Sequence, residues 1–325
     1  MHALDARAMR QQYAKDIGLI SSKVFVCTID YAQNINLPHV SSTPSAWYFM
    51  SLINVSLFGV YSENSKRQTN FVYSERKAGK GSNEVISMLH AFAINQGIYT
   101  NGRGEACWTI YADNCGGQNK NSHLLRYLMF LVDSGRIRAA NLHFLIKGHT
   151  KNNCDRGFAM VKKAYAKSDI YTIAQVDEMI KRSSSANESR CIEDDDGLFI
   201  DWNSTLSPLY RDVKNIQRYQ LFSISSSSPG VVSCRKRPTD NFDMQRISKA
   251  ELVDWAEVWA SFKPLPKPGC NPEKVADLHR KILPYIPEKY RTDSLYRAPT
   301  EEELVEAQAR KKRRVKRAPT HAERH

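Results

Sequence analysis

Short apolar runs of strand length alternate along the chain with longer stretches in which apolar residues recur every three to four positions. Residues 2 to 17 read as a short helix, and "KVFVCTIDYAQN" follows with an apolar run over 24 to 29 that reads as a strand ending at Asp30. Two further strand-like segments, "AWYFMSLINVSLFGVYSE" (about 46 to 62) and "TNFVYSE" (69 to 75), are separated by the turn-rich "NSKRQ". "GSNEVISMLHAFAINQGI" places Val85, Met88, Leu89 and Phe92 at helical spacing, with Glu84 in the first turn and Gly97 at the end. "ACWTIYAD" is a fourth strand, "NSHLLRYLMFLVDSG" a helix ended by Gly135, "NLHFLI" a fifth strand, and "NNCDRGFAMVKKAYAK" a third helix. The element order is βββαβαβα.

Three strands in series, followed by strand, helix, strand and helix, imply an antiparallel edge beside parallel strands with right-handed crossovers. The fold class expected is α/β, a ribonuclease H-like mixed five-stranded sheet with a C-terminal α+β extension and a basic tail. In such sheets ligands gather at the carboxyl ends of the parallel strands. Asp30 and Asp113 end the first and fourth strands, and these lie side by side if the two strands are neighbours. Close carboxylates repel unless a divalent cation compensates, and hard oxygen ligands suit Mg²⁺. A third acid, needed for a metal pair, is offered by Asp155 at the start of the helix after strand five. The separations are 113 − 30 = 83 and 155 − 113 = 42 residues.

"YADNCGGQNKN", residues 111 to 121, reads as a metal- and phosphate-facing loop. Gly116 and Gly117 let backbone approach a phosphate, while Asn114, Gln118, Asn119, Lys120 and Asn121 set neutral donors and a cation on the same rim. The plain alternative is an Asx-type cap at Asp113 on a helix starting near Gln118. His149 could polarise a phosphate, shuttle a proton, bind a metal or be structural. Asp155 could instead be a first-turn acid favoured by the helix dipole, with Thr150 or Asn152 as cap. Arg156 could clamp phosphate, and Lys162 and Lys163 would extend a basic helix face; the alternative is an ordinary solvated face. A zinc site from Cys107, Cys115, His149 and Cys154 matches no common spacing. A Cys115–His149 nucleophile pair would explain the glycine turn but gives Asp30 and Asp155 no joint role.

"TIDYAQNINLPHV", "YADNCGGQNKNS" and "KGHTKNNCDRGFAMVKK" resemble the three signature blocks of a transposase-derived domain family, largely uncharacterised, found in eukaryotic mobile-element proteins. The resemblance covers roughly residues 24 to 225, including "DWNSTLSPLYRDVKNIQRYQLFSI", and extends to the wider DDE transposase and integrase superfamily. It implies catalytic acids at Asp30, Asp113 and Asp155 that hold two Mg²⁺ or Mn²⁺ ions, although many such enzymes carry glutamate at the third position. It also implies DNA as substrate and assembly as a homo-oligomer. In that family a sequence-reading segment is expected upstream of the first strand, and its loss is an expectation here, because the first strand starts so early. A domesticated, catalytically silent nucleic-acid-binding or scaffold protein is the alternative.

Charge strengthens the nucleic-acid expectation. The net charge is +13, and the run "RKKRRVKR" at 310 to 317 supplies seven basic residues (Arg310, Lys311, Lys312, Arg313, Arg314, Lys316 and Arg317), so 13 − 7 = +6 remains elsewhere. A basic body gains affinity for polyanions by counterion release, and the run reads as a nuclear localisation signal or nucleic-acid tail. Seven scattered cysteines without C-x-x-C argue for a reducing compartment. No stretch has the length and apolarity of a membrane span, so a soluble, intracellular, nuclear protein is expected.

The organisation expected is an N-terminal helix (1–20), a catalytic core (21–182), an α+β extension (183–262) and a Pro-rich arm with the basic tail (263–325). "SDIYTIAQVDEMIKRSS" reads as a helix, and "SSSANESRCIEDDDG" as a polar linker whose acidic run Glu193 to Asp196 is an alternative source of the third carboxylate. "LFSISSSSPGVVSCRKRP" reads as strands around a Ser-rich hairpin, with Arg235, Lys236 and Arg237 as phosphate contacts. "ISKAELVDWAEVWASF" reads as an amphipathic helix with Leu252, Trp255, Val258, Trp259 and Phe262 on its apolar stripe.

Overall fold

β1 (Val24–Tyr31) is the middle of the molecule, and its period-two pattern sends Cys27 and Ile29 to one side of the sheet and Val26 and Thr28 to the other. In this computed structural model, which describes residues 2–42, 47, 50–100, 104–149, 151–193, 197–249 and 252–317, β1 is flanked by β3 (Ile53–Ser62), antiparallel, and β5 (Cys107–Ala112), parallel. β4 (Arg67–Ser74) follows antiparallel to β3, and β6 (Ala139–Phe144) parallel to β5. The meander, the two later parallel strands and the adjacency of the first and fourth expected strands are all present.

The protein is mixed α/β, and its sheet is wider than five strands. β2 (Ile35–Leu37) pairs with β3, and β7 (Asn187–Cys191) lies parallel to β4. β8 (Leu221–Ser225), β9 (Val231–Arg235) and β10 (Asp243–Arg246) continue antiparallel beyond β6. Among the described residues the order is β10-β9-β8-β6-β5-β1-β3-β4-β7 with β2 beside β3, ten strands in one mixed sheet. Strands from 183–262 therefore complete both edges of the sheet that carries the expected core.

Nine α-helices lie among the described residues: α1 (His2–Gly18), α2 (Ser82–Asn95), α3 (Ser122–Asp133), α4 (Asn153–Tyr165), α5 (Ile173–Ser183), α6 (Trp202–Leu206), α7 (Trp255–Ser261), α8 (Pro272–Asp277) and α9 (Glu301–Arg317). One sheet face packs on α2, α3, α6 and α7. α3 is buried over all of Leu124–Val132, mostly apolar, with Arg126 inside that stretch paired to Asp212 at 2.7 Å. It starts where Asn121 accepts the N–H groups of His123 and Leu124, and its chain turns away at Gly135 with φ +71°. The opposite face carries α1 over Val26 and Tyr111, and α4 and α5 over Leu57 and Val72.

Five expectations change. The strand expected over 46–62 begins only at Ile53; residues 46, 48 and 49 lie outside the described residues. β7 sits inside the expected polar linker, because an edge strand needs no apolar alternation; its Glu188 instead pairs with Arg67 at 2.8 Å. Residues 194–196 of the acidic run lie outside the described residues, while Glu193 accepts the Ser74 N–H beside β4, away from the other acids. The helix near 255 is only seven residues long, capped by Asp254, with Leu252 outside it and 95% exposed. The Pro-rich arm is folded, not extended: Leu278, Ile282, Ile286, Leu295 and Tyr296 bury themselves against α5 and the sheet. Prolines break that region into short turns, which hides the periodicity that would have marked it.

Candidate functional site

Thr28 pairs with Tyr111 in the parallel register of β1 and β5, so two residues further on Asp30 and Asp113 come opposite each other at the carboxyl ends of both strands. Neighbouring strands lie about 4.8 Å apart. Asp30 is also the cross-strand partner of Gly59 on β3. Such partners share a face, and a Cβ at Gly59 would lie 2.7 Å from the Phe158 ring of α4. The Asp30 side chain is therefore turned toward the α4 layer, where Asp155 stands in the first helical turn, three residues before Phe158. Burial first, and then the charges of Asp113 and Asp155, push the Asp30 carboxyl up to about 7 against the lowering effect of the Tyr31 N–H.

Each acid uses one oxygen locally. Asp30 Oδ1 accepts the Tyr31 N–H at 2.8 Å, and Asp113 Oδ1 accepts from Cys115 N–H at 3.2 Å and from Asn119 Nδ2 at 2.6 Å. Asp155 Oδ2 accepts the Asn152 N–H at 2.8 Å, while Asn152 caps α4 by accepting the Cys154 N–H; the other proposed cap, Thr150, lies outside the described residues. Among the described residues, the second oxygen of each acid accepts no hydrogen bond. The donors are hard oxygens of the kind Mg²⁺ or Mn²⁺ takes. They converge without closing into a coordination set: among the described residues no three His, Cys, Asp or Glu side chains stand close enough together to hold a metal ion.

The 113–121 loop is more inward-looking than its composition suggested. Asn119 is buried and holds Asp113. Lys120 is 2% exposed, with its ammonium donating to Asn114 Oδ1 at 2.9 Å and Gln220 Oε1 at 3.4 Å over the Phe144 ring; burial pulls it down to about 8. It is not a rim cation. Asn114 in turn donates to the Leu145 carbonyl, and Asn121 caps α3 while donating to the Gly116 carbonyl at 3.0 Å. The helix begins at Ser122 rather than near Gln118, so the cap is Asn121, and Asp113 instead closes a short Asx turn on Cys115. Gly116 and Gly117 are exposed on the outer surface, and Asp113, Asn114, Cys115, Gln118 and Asn121 are half-buried. Neither glycine is demanded by packing, since a Cβ at Gly116 would meet only Gln217 at 3.6 Å and one at Gly117 nothing within 4 Å.

His149 is exposed beside a cleft of about 300 Å³ floored by Thr28 and rimmed by Arg10, His149, Lys151 and Arg156. Among the described residues Arg10, Lys151 and Arg156 have neither a hydrogen-bonded nor an ion-paired side-chain partner. Lys162 and Lys163 are exposed further along α4. Cys154 is fully buried, its thiol donating to the Thr28 carbonyl at 3.2 Å and pushed up by burial, which removes it as ligand or nucleophile. The four residues of the zinc alternative form no metal-holding group. Arg310 and Lys311 pair with Glu306 and Asp277 on a continuing α9; the side chains of Lys312, Arg313, Arg314, Lys316 and Arg317 lie outside the described residues.

Several site residues carried no sequence signature. Arg10 reaches the cleft from α1, and Lys151 from the turn before α4. Gly157 had a usable signal, because glycine inside a helix costs about 1 kcal/mol relative to alanine. Its role is close approach: a Cβ there would lie 2.1 Å from Gln68 Oε1, so any larger residue would force the buried Gln68 amide of β4 to move.

The fold and site together define a mixed α/β protein with carboxylates gathered at the carboxyl ends of adjacent parallel strands. Residues 49–240 match the family described as a domain of unknown function (DUF7869), and the chain belongs to that family. No curated protein matches it. No helix among the described residues is long and apolar enough to cross a membrane.

Proposed function

We propose that the chain is a transposase-derived, ribonuclease H-like protein that acts on DNA phosphodiesters with divalent-metal assistance. The observation that carries this is the parallel register that sets Asp30 beside Asp113, with Asp155 offered from the helix above. Further support comes from strands β4, β3, β1, β5 and β6 standing in the adjacency that a ribonuclease H-like order requires. The unpartnered cations Arg10, Lys151 and Arg156 supply phosphate-directed contacts with no base reading, and the basic balance of +13 agrees with a polyanionic partner.

In this mechanism Asp30 and Asp113 would hold Mg²⁺ or Mn²⁺, and Asp155 would join them by releasing the Asn152 N–H. The bound ions would supply activation of water or a DNA 3′-hydroxyl and stabilisation of the leaving oxygen. Asn119 keeps Asp113 aimed, the Phe158–Gly59 contact sets the height of α4, and the cleft cations orient the strand for in-line attack. His149, at the cleft rim, is placed to contact a bound phosphate. The test is cleavage of end-labelled DNA with Mg²⁺ or Mn²⁺, comparing the chain with Asp113→Asn. Loss of cleavage in the variant is expected, and equal activity in both overturns the metal mechanism.

A second possibility, a catalytically silent nucleic-acid-binding or scaffold protein, is favoured by one observation: the three acids do not close into a metal-holding group. DNA binding without cleavage by either protein would select it. A nuclear location and a homo-oligomeric state belong to the same proposal; the first is tested by the distribution of a fluorescent fusion with and without 310–317, the second by the mass of the chain in solution.

A further inference from the structure

The first turn of α4 separates two hollows. On one side is the basic cleft, with Asn152, Asn153 and Arg156 on its α4 wall. On the other is a groove of about 640 Å³ between residues 31–36 and the next two turns of α4, with Asp155 at its edge. Small-molecule sites commonly span about 300–1,000 Å³. The two hollows differ in chemistry. The cleft is cationic, whereas the groove is walled by Phe158, Tyr165 and Val161 and edged by Gln33, Asn34 and Lys162.

These walls suit a flat, polar-edged ring. Tyr165 is fixed in place, because its hydroxyl donates to the Asn36 carbonyl at 2.8 Å and its ring packs on His39 at a centroid distance of 3.8 Å. Phe158 is held by contact with Gly59. Gln33 is exposed and, among the described residues, its amide has no partner, leaving a donor and an acceptor for a base edge. The Lys162 ammonium is likewise exposed and unpartnered among the described residues, which suits a neighbouring phosphate.

We propose that this groove receives the unstacked base of the nucleotide next to the phosphate held at Asp30, Asp113 and Asp155. The proposal rests on the nucleic-acid reading of the site, and it gives the strand a path: backbone along Arg10, Lys151 and Arg156, past the start of α4, then one base turned into the groove. Aromatic walls bind any base by stacking, so the subsite prefers single-stranded or frayed DNA over an intact duplex and discriminates weakly among bases.

The experiment uses the full chain with Ca²⁺ in place of Mg²⁺ or Mn²⁺, so that a hard cation can still bridge the three carboxylates to the phosphate, and a short single-stranded deoxyoligonucleotide carrying one 5-iodouracil at successive positions. Irradiation should cross-link at one position, and the label should map to tryptic peptides 157–162 or 164–167, which hold Phe158 and Tyr165. At that position an abasic nucleotide should weaken binding about tenfold, within the range of base–aromatic stacking. Ala159→Leu, at an exposed helical position on the groove wall, should abolish that difference while leaving the affinity of the abasic strand unchanged; Ala159→Ser should behave as the parent chain. Cross-links confined to other peptides, or an Ala159→Leu variant that still discriminates the abasic strand, overturn the subsite while metal-dependent cleavage, measured separately, leaves the wider function standing. Failure of the parent chain to bind the oligonucleotide overturns both.

Discussion

Two groups of polar residues share one face of β5, two residues apart, and they are built on opposite rules. At Tyr111 the hydroxyl donates to Asp16 Oδ2 of α1 at 2.6 Å, His143 Nδ1 lies 3.4 Å from the same oxygen, and Gln12 donates to Asp16 Oδ1 at 2.8 Å. Both Asp16 oxygens are occupied. At Asp113 one oxygen is held by its own loop, the other has no partner among the described residues, and like-charged Asp30 is the neighbour across the strands. A carboxylate that ties a helix to a sheet is saturated with donors, whereas one kept for a ligand is left wanting and crowded. The same strand therefore carries a structural acid contact and a candidate functional acid within a single pleat repeat.

The largest break in this contrast is Asp16→Ala, which leaves the buried Tyr111 hydroxyl without its acceptor and α1 without its polar anchor. Losing a buried partner costs about 1–3 kcal/mol, and with Gln12 also released a loss of about 3 kcal/mol in urea unfolding is expected. The pH dependence follows from the same contacts. Burial alone would raise the Asp16 carboxyl, but the His143 imidazole, with Nδ1 3.4 Å away, and the hydrogen bond donated by Tyr111 outweigh it and hold the group below its ordinary value of 3.8. A carboxyl lowered on folding contributes stability that is present above 3.8 and is lost as the pH falls through the lower, folded value. Asp16→Asn should remove that acid limb from a plot of unfolding free energy against pH, and an unchanged limb would show that Asp16 is not held as described.

Next in size is Gly59→Ala. Its new Cβ would stand 2.7 Å from Phe158 and 2.8 Å from Gln68 Nε2, so α4 has to lift or both side chains have to move. Overpacking of this kind costs about 1–3 kcal/mol. Because Asp155 rides on α4 while Asp30 and Asp113 belong to the sheet, cleavage should fall by more than the stability loss explains. A variant with ordinary stability and ordinary cleavage would show that the height of α4 does not matter to the site.

Asp30→Asn is the counterpart of Asp16→Ala and should go the other way. It removes a half-buried charge that faces Asp113 and Asp155 while keeping the acceptor for the Tyr31 N–H. Unfolding should show no loss and a gain of up to about 1 kcal/mol, since relief of like-charge repulsion at a functional site commonly stabilises. Metal-dependent cleavage should disappear in the same protein. A marked loss of stability would make Asp30 a structural acid like Asp16.

How much of this was legible depended on whether a residue acts along the chain or across it. The strand-ending Asp30 and Asp113 could be read because alternation fixes which face a residue takes and element order fixes which strands meet. The capping role of Asn152 was written locally beside Asp155. The position of Lys120 is not legible, because a lysine in a glycine-rich loop looks exposed and only the closure of the loop over Phe144 and Gln220 puts the ammonium inside. The Asp16, Tyr111 and His143 group was invisible, since its members come from α1, β5 and β6 and each is unremarkable in its own segment. β7 and the C-terminal turns escaped for a related reason: their burial is set by the sheet edge and by the α5 surface they cover, which no local pattern records.

The smallest expected effect on stability, and the one that most sharply separates ligand-facing from structural residues, is Arg156→Ala. Arg156 is exposed on the first turns of α4, and among the described residues its guanidinium has no partner, so removing it should change unfolding by no more than about 0.5 kcal/mol. If it contacts a phosphate, its loss should weaken binding to all DNA sequences alike and reduce the slope of log affinity against log salt by about 1, because one fewer counterion is released. Lys163→Ala, on the same helix but lining neither hollow, should leave that slope nearer the parent value. Equal slopes in Arg156→Ala and the parent chain would move the strand away from the cleft and leave the carboxylates without the cations that orient their substrate.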